Sequence, residues 1–369
     1  MAIKIGIVGM GGIGNTHAKC YMSDPLAKLV AVCDVIKEKA DKAANNYNVE
    51  AFYSLKDMMK AHPELDVIDV TTSGFDNGSW HYEPAMQALD EGFNVFVEKP
   101  ISNNHDEARE MVITAQKKKL YLGCNLNHGF TGPADKAREL ISQGKIGEPV
   151  YILHKVGFNG SDMTYKAPAA GGPMKRFEGP YSHAYAFLSH PFSLMRSFGG
   201  DITHVQAFFD KPGIRHSAND LMWSINGINV KYQNGSIGYL LSQRGDAIFG
   251  LGGWWSFEMA GTKGTFCIEN CVEKLYYWDG SQPASMGTMQ PEIFDFGTKD
   301  FGTTFNNRLH AFLEDMTNKI PPEHIRGSGR DALATLEYTV AAIESFEEGG
   351  ALIRPRALPP LHGTPGFVV

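Results

Sequence analysis

The chain lacks any excess of positive charge. Lys and Arg number 34 against 41 Asp and Glu, a formal net charge of −7. Proteins that hold nucleic acid by neutralising phosphates carry a basic surplus, so nucleic acid is not an expected partner. Cysteine pairs are missing too. Cys20, Cys33, Cys124, Cys267 and Cys271 are odd in number, and none stand as C-x-x-C. They read as reduced core residues of a cytosolic protein. No apolar run approaches the roughly 20 residues that span a bilayer. The start, "MAIKIGIVGMGGIGNTHAKC", is apolar but glycine-rich, without the basic flank and small-residue cleavage site of a secretion signal. The expectation is a cytoplasmic protein with no membrane attachment. No internal repeat and no metal-ligand spacing is visible, and no metal is expected.

What is present is ordinary in composition and specific in pattern. The 369 residues suit two domains, with 43% hydrophobic and 20% charged residues typical of a folded globular chain. In "IKIGIVGMGGIGNTHAKCYM" a short apolar run meets a glycine cluster and then helix-compatible sequence. Gly9, Gly11 and Gly14 fit G-x-G-x-x-G: a tight turn, close approach of a pyrophosphate, and close helix–strand packing. The turn residues Gly12 and Ile13 open a helix whose free N–H groups would face that anion. The second strand, "KLVAVCD", ends in Asp34, twenty residues after Gly14. A carboxylate there accepts from the adenosine ribose hydroxyls and repels the extra phosphate of NADP, so NAD is the expected cofactor. Lys37 nearby leaves some tolerance of NADP.

The β/α alternation continues. "DVIDVTTSG" is a buried strand running into Thr71, Thr72 and Ser73; "HYEPAMQALDEG" is a helix ending at Gly92; "FNVFVE" is a strand; "LYLGCNLN" is another. Ligands of a doubly wound parallel sheet sit at the carboxyl ends of its strands. Glu98 and Lys99 stand at such an end, with Pro100 locked behind them. Thr71 to Ser73 and Asn125 to His128 stand at others. His81 and Asn127 join the expected cofactor contacts, and His128 the substrate contacts.

These stretches, with "HYEPAMQALDEGFNVFVEKPIS", "GCNLNHGF", "IGEPV", "GTKGTF" and "GRDALATLEYTVAAIES", resemble the glucose–fructose oxidoreductase / inositol dehydrogenase / MocA (Gfo/Idh/MocA) family along nearly the whole chain. The resemblance implies nicotinamide-dependent oxidation of sugars or polyols. It implies that Lys99 reaches the substrate hydroxyl and the nicotinamide ribose, with Glu98 as a support beside it. The family's aspartate four residues before a histidine is absent: in "AYAFLSHPFSLMRSFGG" the histidine is His190 and Ala186 stands at the aspartate position. His183 is the candidate replacement. A single helix over 183–190 would bring both histidines to one face. Pro191 disfavours that, and a helix starting at Pro191 with His190 at its N-cap is the alternative. Gly129 replaces an arginine frequent in the family.

The fold class is α/β: a Rossmann doubly wound parallel sheet over residues 1–128, then an α+β domain over 129–353 with a large open, mainly antiparallel sheet. Residues 354–369 form an extended tail. "NGSDMTYKAPAAGGPMKRFEGP" reads as an active-site cover carrying the substrate contacts Tyr165, Lys175 and Arg176, with Lys166 beside them. "YQNGS" signals a hairpin. One of Trp254 and Trp255 faces the core and the other is free to meet a sugar. A homo-oligomer through the second sheet is expected. The expected reaction is oxidation of a secondary hydroxyl, C3 of a glucosyl unit first, with Lys99, His190 and His183 as catalytic residues. An inositol or free aldose is the second substrate reading. Glycoside cleavage through transient oxidation with tightly held NAD, and a non-catalytic nucleotide-binding regulator, are the other classes.

Overall fold

The computed structural model describes residues 2–73, 80–159, 180–213, 222–245, 253–280 and 289–361, with 158 and 159 as backbone only. It divides into two compact units. The first comprises Met1–Asn127, Phe305–Leu336 and Ala357–Val369; the second comprises His128–Thr304 and Glu337–Arg356. The first unit therefore takes up 305–336 and the tail in addition to the amino-terminal third.

Six strands form the sheet of the first unit: β1 (Ile3–Val8), β2 (Ala27–Cys33), β3 (Glu50–Phe52), β4 (Val67–Val70), β5 (Asn94–Val97) and β6 (Leu122–Cys124). Their order is β3-β2-β1-β4-β5-β6, and every pairing is parallel. Strands covered on both faces are apolar throughout rather than alternating. All four residues of β4 are buried, Asp69 among them. Helices α1 (Gly12–Ser23), α2 (Lys37–Tyr47), α3 (Leu55–Ala61), α4 (Tyr82–Asp90) and α5 (His105–Lys118) connect the strands. Asn104 caps α5, its side chain accepting from the Asp106 amide at 2.8 Å.

Two features of this unit set up its working edge. Val8, Val70, Val97 and Cys124 are in register across β1, β4, β5 and β6. The next residues, Gly9, Thr71, Glu98 and Asn125, therefore form one row at the carboxyl ends, on both sides of the switch in strand order. Leu309, Phe312, Leu313 and Ile325, from far along the chain, complete the core with Ile5, Ile7, Phe96 and Tyr21. Residues 357–361 lie on the same unit, where Arg109 donates to the Ala357 carbonyl at 2.9 Å.

The second unit has α6 (Gly132–Ser142), then β7 (Pro149–Asn159), α7 (Ser182–Phe187), α8 (Ser189–Gly199), β8 (Ile202–Asp210), β9 (Ile225–Tyr232), β10 (Ile237–Gly245), β11 (Trp255–Gly261), β12 (Gly264–Glu269), β13 (Lys274–Asp279) and β14 (Glu292–Asp295). α9 (Thr303–Thr317) and α10 (Gly329–Glu347) close the chain. The sheet order is β14-β13-β12-β11-β7-β10-β9-β8; β7 and β10 pair parallel and the other neighbours antiparallel. The hairpin at "YQNGS" joins β9 to β10, with Asn234 accepting from the Ser236 amide at 3.0 Å. β13 and β14 extend the sheet beyond the strands expected from pattern. α8 packs on the inner face through Phe198, whose ring lies 5.2 Å from Phe257 and 5.5 Å from Phe266. Burying each such ring contributes about 1.5–3 kcal/mol.

Candidate active site

The nucleotide end of the first unit is built from backbone. Gly9 has φ of +101°, and a Cβ on it would lie 2.7 Å from the Thr72 nitrogen. A Cβ on Gly14 would lie 2.1 Å from the Gly9 carbonyl oxygen. Neither position accepts a side chain. A Cβ on Gly11 or Gly12 would meet nothing within 4 Å, so the surface ahead of α1 is open. No side chain caps α1 and no acidic residue stands in its first turn. Its amide dipoles are left to an anion from outside. Thr71 secures the turn by donating to the Gly9 carbonyl at 2.7 Å. Asp34 accepts from the Met10 amide at 2.7 Å and the Ile36 amide at 2.8 Å. Each carboxylate oxygen keeps a second lone pair for a ribose hydroxyl. Open glycines, bare helix amides and a fixed carboxylate together fit NAD.

Beside this cradle lies a buried charge cluster. His17, on the inner face of α1, is fully buried. Its Nδ1 is 2.8 Å from Asp69 Oδ2 and its Nε2 is 3.0 Å from Glu98 Oε1. Asn125 donates to the same Glu98 oxygen. The other Glu98 oxygen accepts the Lys99 backbone N–H at 3.1 Å. Burial pulls the His17 pKa down, but Asp69 and Glu98 outweigh it and raise the value to about 10. Burial pushes Glu98 up, but the His17 bond and charge, with Lys99 and Asn125, bring it down to about 2. Lys99 is half-buried, and its bond to Pro100 is cis.

His81 braces two strand ends. Its Nδ1 is 2.6 Å from the Pro100 carbonyl and its Nε2 is 2.9 Å from the Thr72 carbonyl. Its ring nitrogens are thus directed at main-chain oxygens. Thr72 donates to the Trp80 carbonyl at 2.6 Å, and Ser73 is exposed beside it. Asn127 is buried in the short turn that follows β6.

In the second unit the histidines gather around one phenyl ring. Neither helix expectation holds: α7 and α8 abut at Leu188, and α8 begins at Ser189. His190 lies in the first turn of α8, ahead of Pro191, where a proline is tolerated. Phe187 contacts both histidines, its ring 5.4 Å from His183 and 5.9 Å from His190. His183 Nε2 is 2.9 Å from Ser242 Oγ. His190 stacks on His128 at 4.1 Å with planes 4° apart. Trp255 Nε1 donates to His128 Nδ1 at 3.2 Å. Trp255 is the core member of the tryptophan pair at 0% exposure, while Trp254 is half-buried against Phe301. Tyr165, Lys166, Lys175 and Arg176 lie outside the described residues.

Sequence reasoning passed over His17 and Asp69, and left open which of Trp254 and Trp255 is the core member. A charge in the middle of the apolar run "VIDV" was the available signal for Asp69. A histidine three residues after Gly14, on the face that also buries Ala18 and Tyr21, was the signal for His17.

Residues 3–126 match the oxidoreductase family described as NAD-binding Rossmann fold, GFO_IDH_MocA. A D-glucoside 3-dehydrogenase of Escherichia coli is 30% identical over 179 residues, 47% of this chain and half the length of that protein. A myo-inositol 2-dehydrogenase of Thermotoga maritima is 23% identical over 351 residues, 94% of this chain and 97% of that one. The fold of levoglucosan dehydrogenase, solved with NADH and L-sorbose, superposes with a TM-score of 0.81 at 17% identity, over 96% of this chain and 100% of that one. The cradle fits NAD, and these likenesses together place the chain among NAD-dependent oxidoreductases of the sugar and polyol dehydrogenase class. The likeness to the Gfo/Idh/MocA family is shown for the amino-terminal third of the chain, its NAD-binding Rossmann fold. Among the described residues, no helix is long and apolar enough to cross a membrane.

Proposed function

We propose that this chain oxidises a secondary hydroxyl of a sugar, with C3 of a glucosyl unit as the leading substrate and carbon. The observation that carries the reading is Lys99 at the end of β5, held by an ionised Glu98 on the strand-end row that also carries Gly9 and Thr71. The likeness to a glucoside 3-dehydrogenase supports the C3 choice. NAD, when bound, supplies the hydride acceptor. Lys99 holds the reacting hydroxyl and shares its proton. His190 acts as general acid and base, since imidazole titrates near working pH. His183, held by Ser242 and stacked on Phe187, supports it in place of the missing aspartate. Tyr165, Lys175 and Arg176 are further substrate contacts of this reading, which also has a cytoplasmic location, an NAD-binding domain over 1–128, a substrate-binding and oligomerisation domain over 129–353 and an extended tail over 354–369. A homo-oligomer through the second sheet is supported by exposed Leu153, Ile237 and Tyr239 on neighbouring strands.

A second reading, inositol oxidation, is supported by matches to inositol 2-dehydrogenases that run nearly end to end. A panel of glucosides, free aldoses and inositols, followed by NADH absorbance and product mass, separates the two. Loss of two hydrogens from a glucoside supports the leading reading, and oxidation of inositol alone moves it to the second. Bond cleavage without NADH would instead indicate transient oxidation. Lys99→Ala is expected to lower kcat/KM by about a thousandfold or more. Retained turnover in that variant would remove Lys99 from the reaction.

A further inference from the structure

A cluster of buried ions is costly to desolvate, so its survival beside a reacting lysine asks for a reason. His17 and Asp69 are 0% exposed and Glu98 is 6% exposed. The three come from separate elements, α1, β4 and the end of β5, and converge through two short contacts on one imidazole. Neither oxygen partner can donate when ionised, so both ring nitrogens must carry the protons. An imidazolium gives both carboxylates a donor and a neutral ring gives one only; the Asn125 amide, 3.3 Å from Nε2, donates to Glu98 instead.

We propose that His17 is a positioning residue for the reaction: as a cation between Asp69 and Glu98, it keeps Glu98 ionised and aimed at the Lys99 backbone, and so fixes where the Lys99 side chain begins. This rests on the reading of Lys99 as the group that holds the hydroxyl. With Lys99 the set sums to zero charge, two cations against two carboxylates. The other ionisable groups around it are Tyr21, whose hydroxyl lies beside Asp69, with Cys20 of α1, Cys124 of β6 and Arg308 of α9. The cysteines and Tyr21 are pushed up by burial and stay neutral at working pH. Arg308 donates to the Cys124 carbonyl at 2.9 Å and stacks on Phe96. The raised pKa of His17 and the lowered one of Glu98 agree in direction with this assignment.

The test is a charge-balance cycle on the full chain. His17→Gln removes the cation and leaves two buried carboxylates, one of which then takes up a proton. Its kcat should fall about tenfold or more, with KM for NAD and sugar changed less than about threefold. A new acid limb should appear in its pH–rate profile near neutrality. Adding Asp69→Asn removes the surplus negative charge, and the double variant should regain kcat about threefold or more over the single one and lose that limb. A wild-type pH profile in His17→Gln, or a double variant worse than the single, overturns the proposal. Long-range ¹H–¹⁵N spectra of the wild-type protein provide the check that needs no variant. His17, assigned through its backbone, should show two protonated ring nitrogens at about pH 8. A neutral ring there overturns the proposal. Failure of the functional reading shows separately, as a wild-type protein that turns over no panel member while the His17 signal stays.

Discussion

His17 and His154 are both fully buried imidazoles, one in each unit, and their surroundings drive them to opposite states. His17 sits between two carboxylates and is a cation, its pKa raised to about 10. His154 donates Nδ1–H to the Ser256 carbonyl at 2.7 Å and otherwise faces the rings of Trp255 at 4.8 Å and Phe257 at 5.4 Å. Burial lowers its pKa to about 4, with the carbonyl bond only partly opposing. Burial is common to the two, so it does not decide the charge. The partners decide: two anions outweigh desolvation, and one neutral acceptor does not. The first unit uses ions to position a lysine, and the second holds His154 as an uncharged ring in an apolar setting.

The largest expected effect breaks the ionic side of the comparison. His17→Leu leaves Asp69 and Glu98 buried without their cation and should cost about 3–5 kcal/mol at neutral pH. His154→Phe replaces a neutral ring with one of similar size and should cost about 1 kcal/mol or less. Urea unfolding of the two variants at about pH 7.5 measures both. Equal losses would mean that packing, not charge, distinguishes the sites.

The next effect is the pH dependence of stability, where the two histidines act on opposite sides of neutrality. His17 has a raised folded pKa, so its stabilisation is complete below the unfolded value of 6.5 and is lost as pH rises towards 10. His154 has a lowered folded pKa, so the unfolded chain binds its proton first, and stability falls as pH drops from 6.5 towards 4. The His154 loss amounts to about 3 kcal/mol over that window. Glu98, held down to about 2, adds a loss only below its ordinary value of 4.5. Unfolding His154→Phe in urea at pH 8 and at about pH 4.5 should show a smaller acid loss than in wild type, by 2 kcal/mol or so. An unchanged acid loss would place the titrating group elsewhere.

The contrast also explains what was legible from the residues. The glycine turn, Asp34 and Lys99 sit at strand ends, and strand ends are read from local pattern: an apolar run, then a break. Gly9, Thr71, Glu98 and Asn125 align because four short parallel strands are in register, which the β/α alternation implies. His17 belongs to the same edge but faces inward, and its meaning depends on Asp69 and Glu98, far away in the chain. Phe312 and Leu313 complete the first core from beyond the second sheet, a return that no local pattern announces. His190 can be picked out within its own segment, but its stacking on His128 cannot. Their stacking depends on how α8 meets the turn after β6. Likewise β14 is a short edge strand of four residues, made a strand by its pairing with β13.

The smallest expected effect sharpens the neutral side. His128 Nδ1 accepts from the Trp255 indole N–H, a group that donates only, so Nδ1 must keep its lone pair and the ring proton sits on Nε2. A donor thus does for His128 the reverse of what two acceptors do for His17: it selects one tautomer of an uncharged ring. That ring is the one on which His190 stacks. Trp255→Phe deletes the donor while keeping most of the aromatic packing. It should cost about 1–2 kcal/mol, one buried hydrogen bond with some lost area. In ¹⁵N spectra the His128 ring should change from a single Nε2–H form to a mixture of tautomers. The pH–rate profile should shift with it if the stacked pair shares one protonation equilibrium. A variant that keeps the Nε2–H form unchanged would show that another contact, and not Trp255, sets the state of this ring.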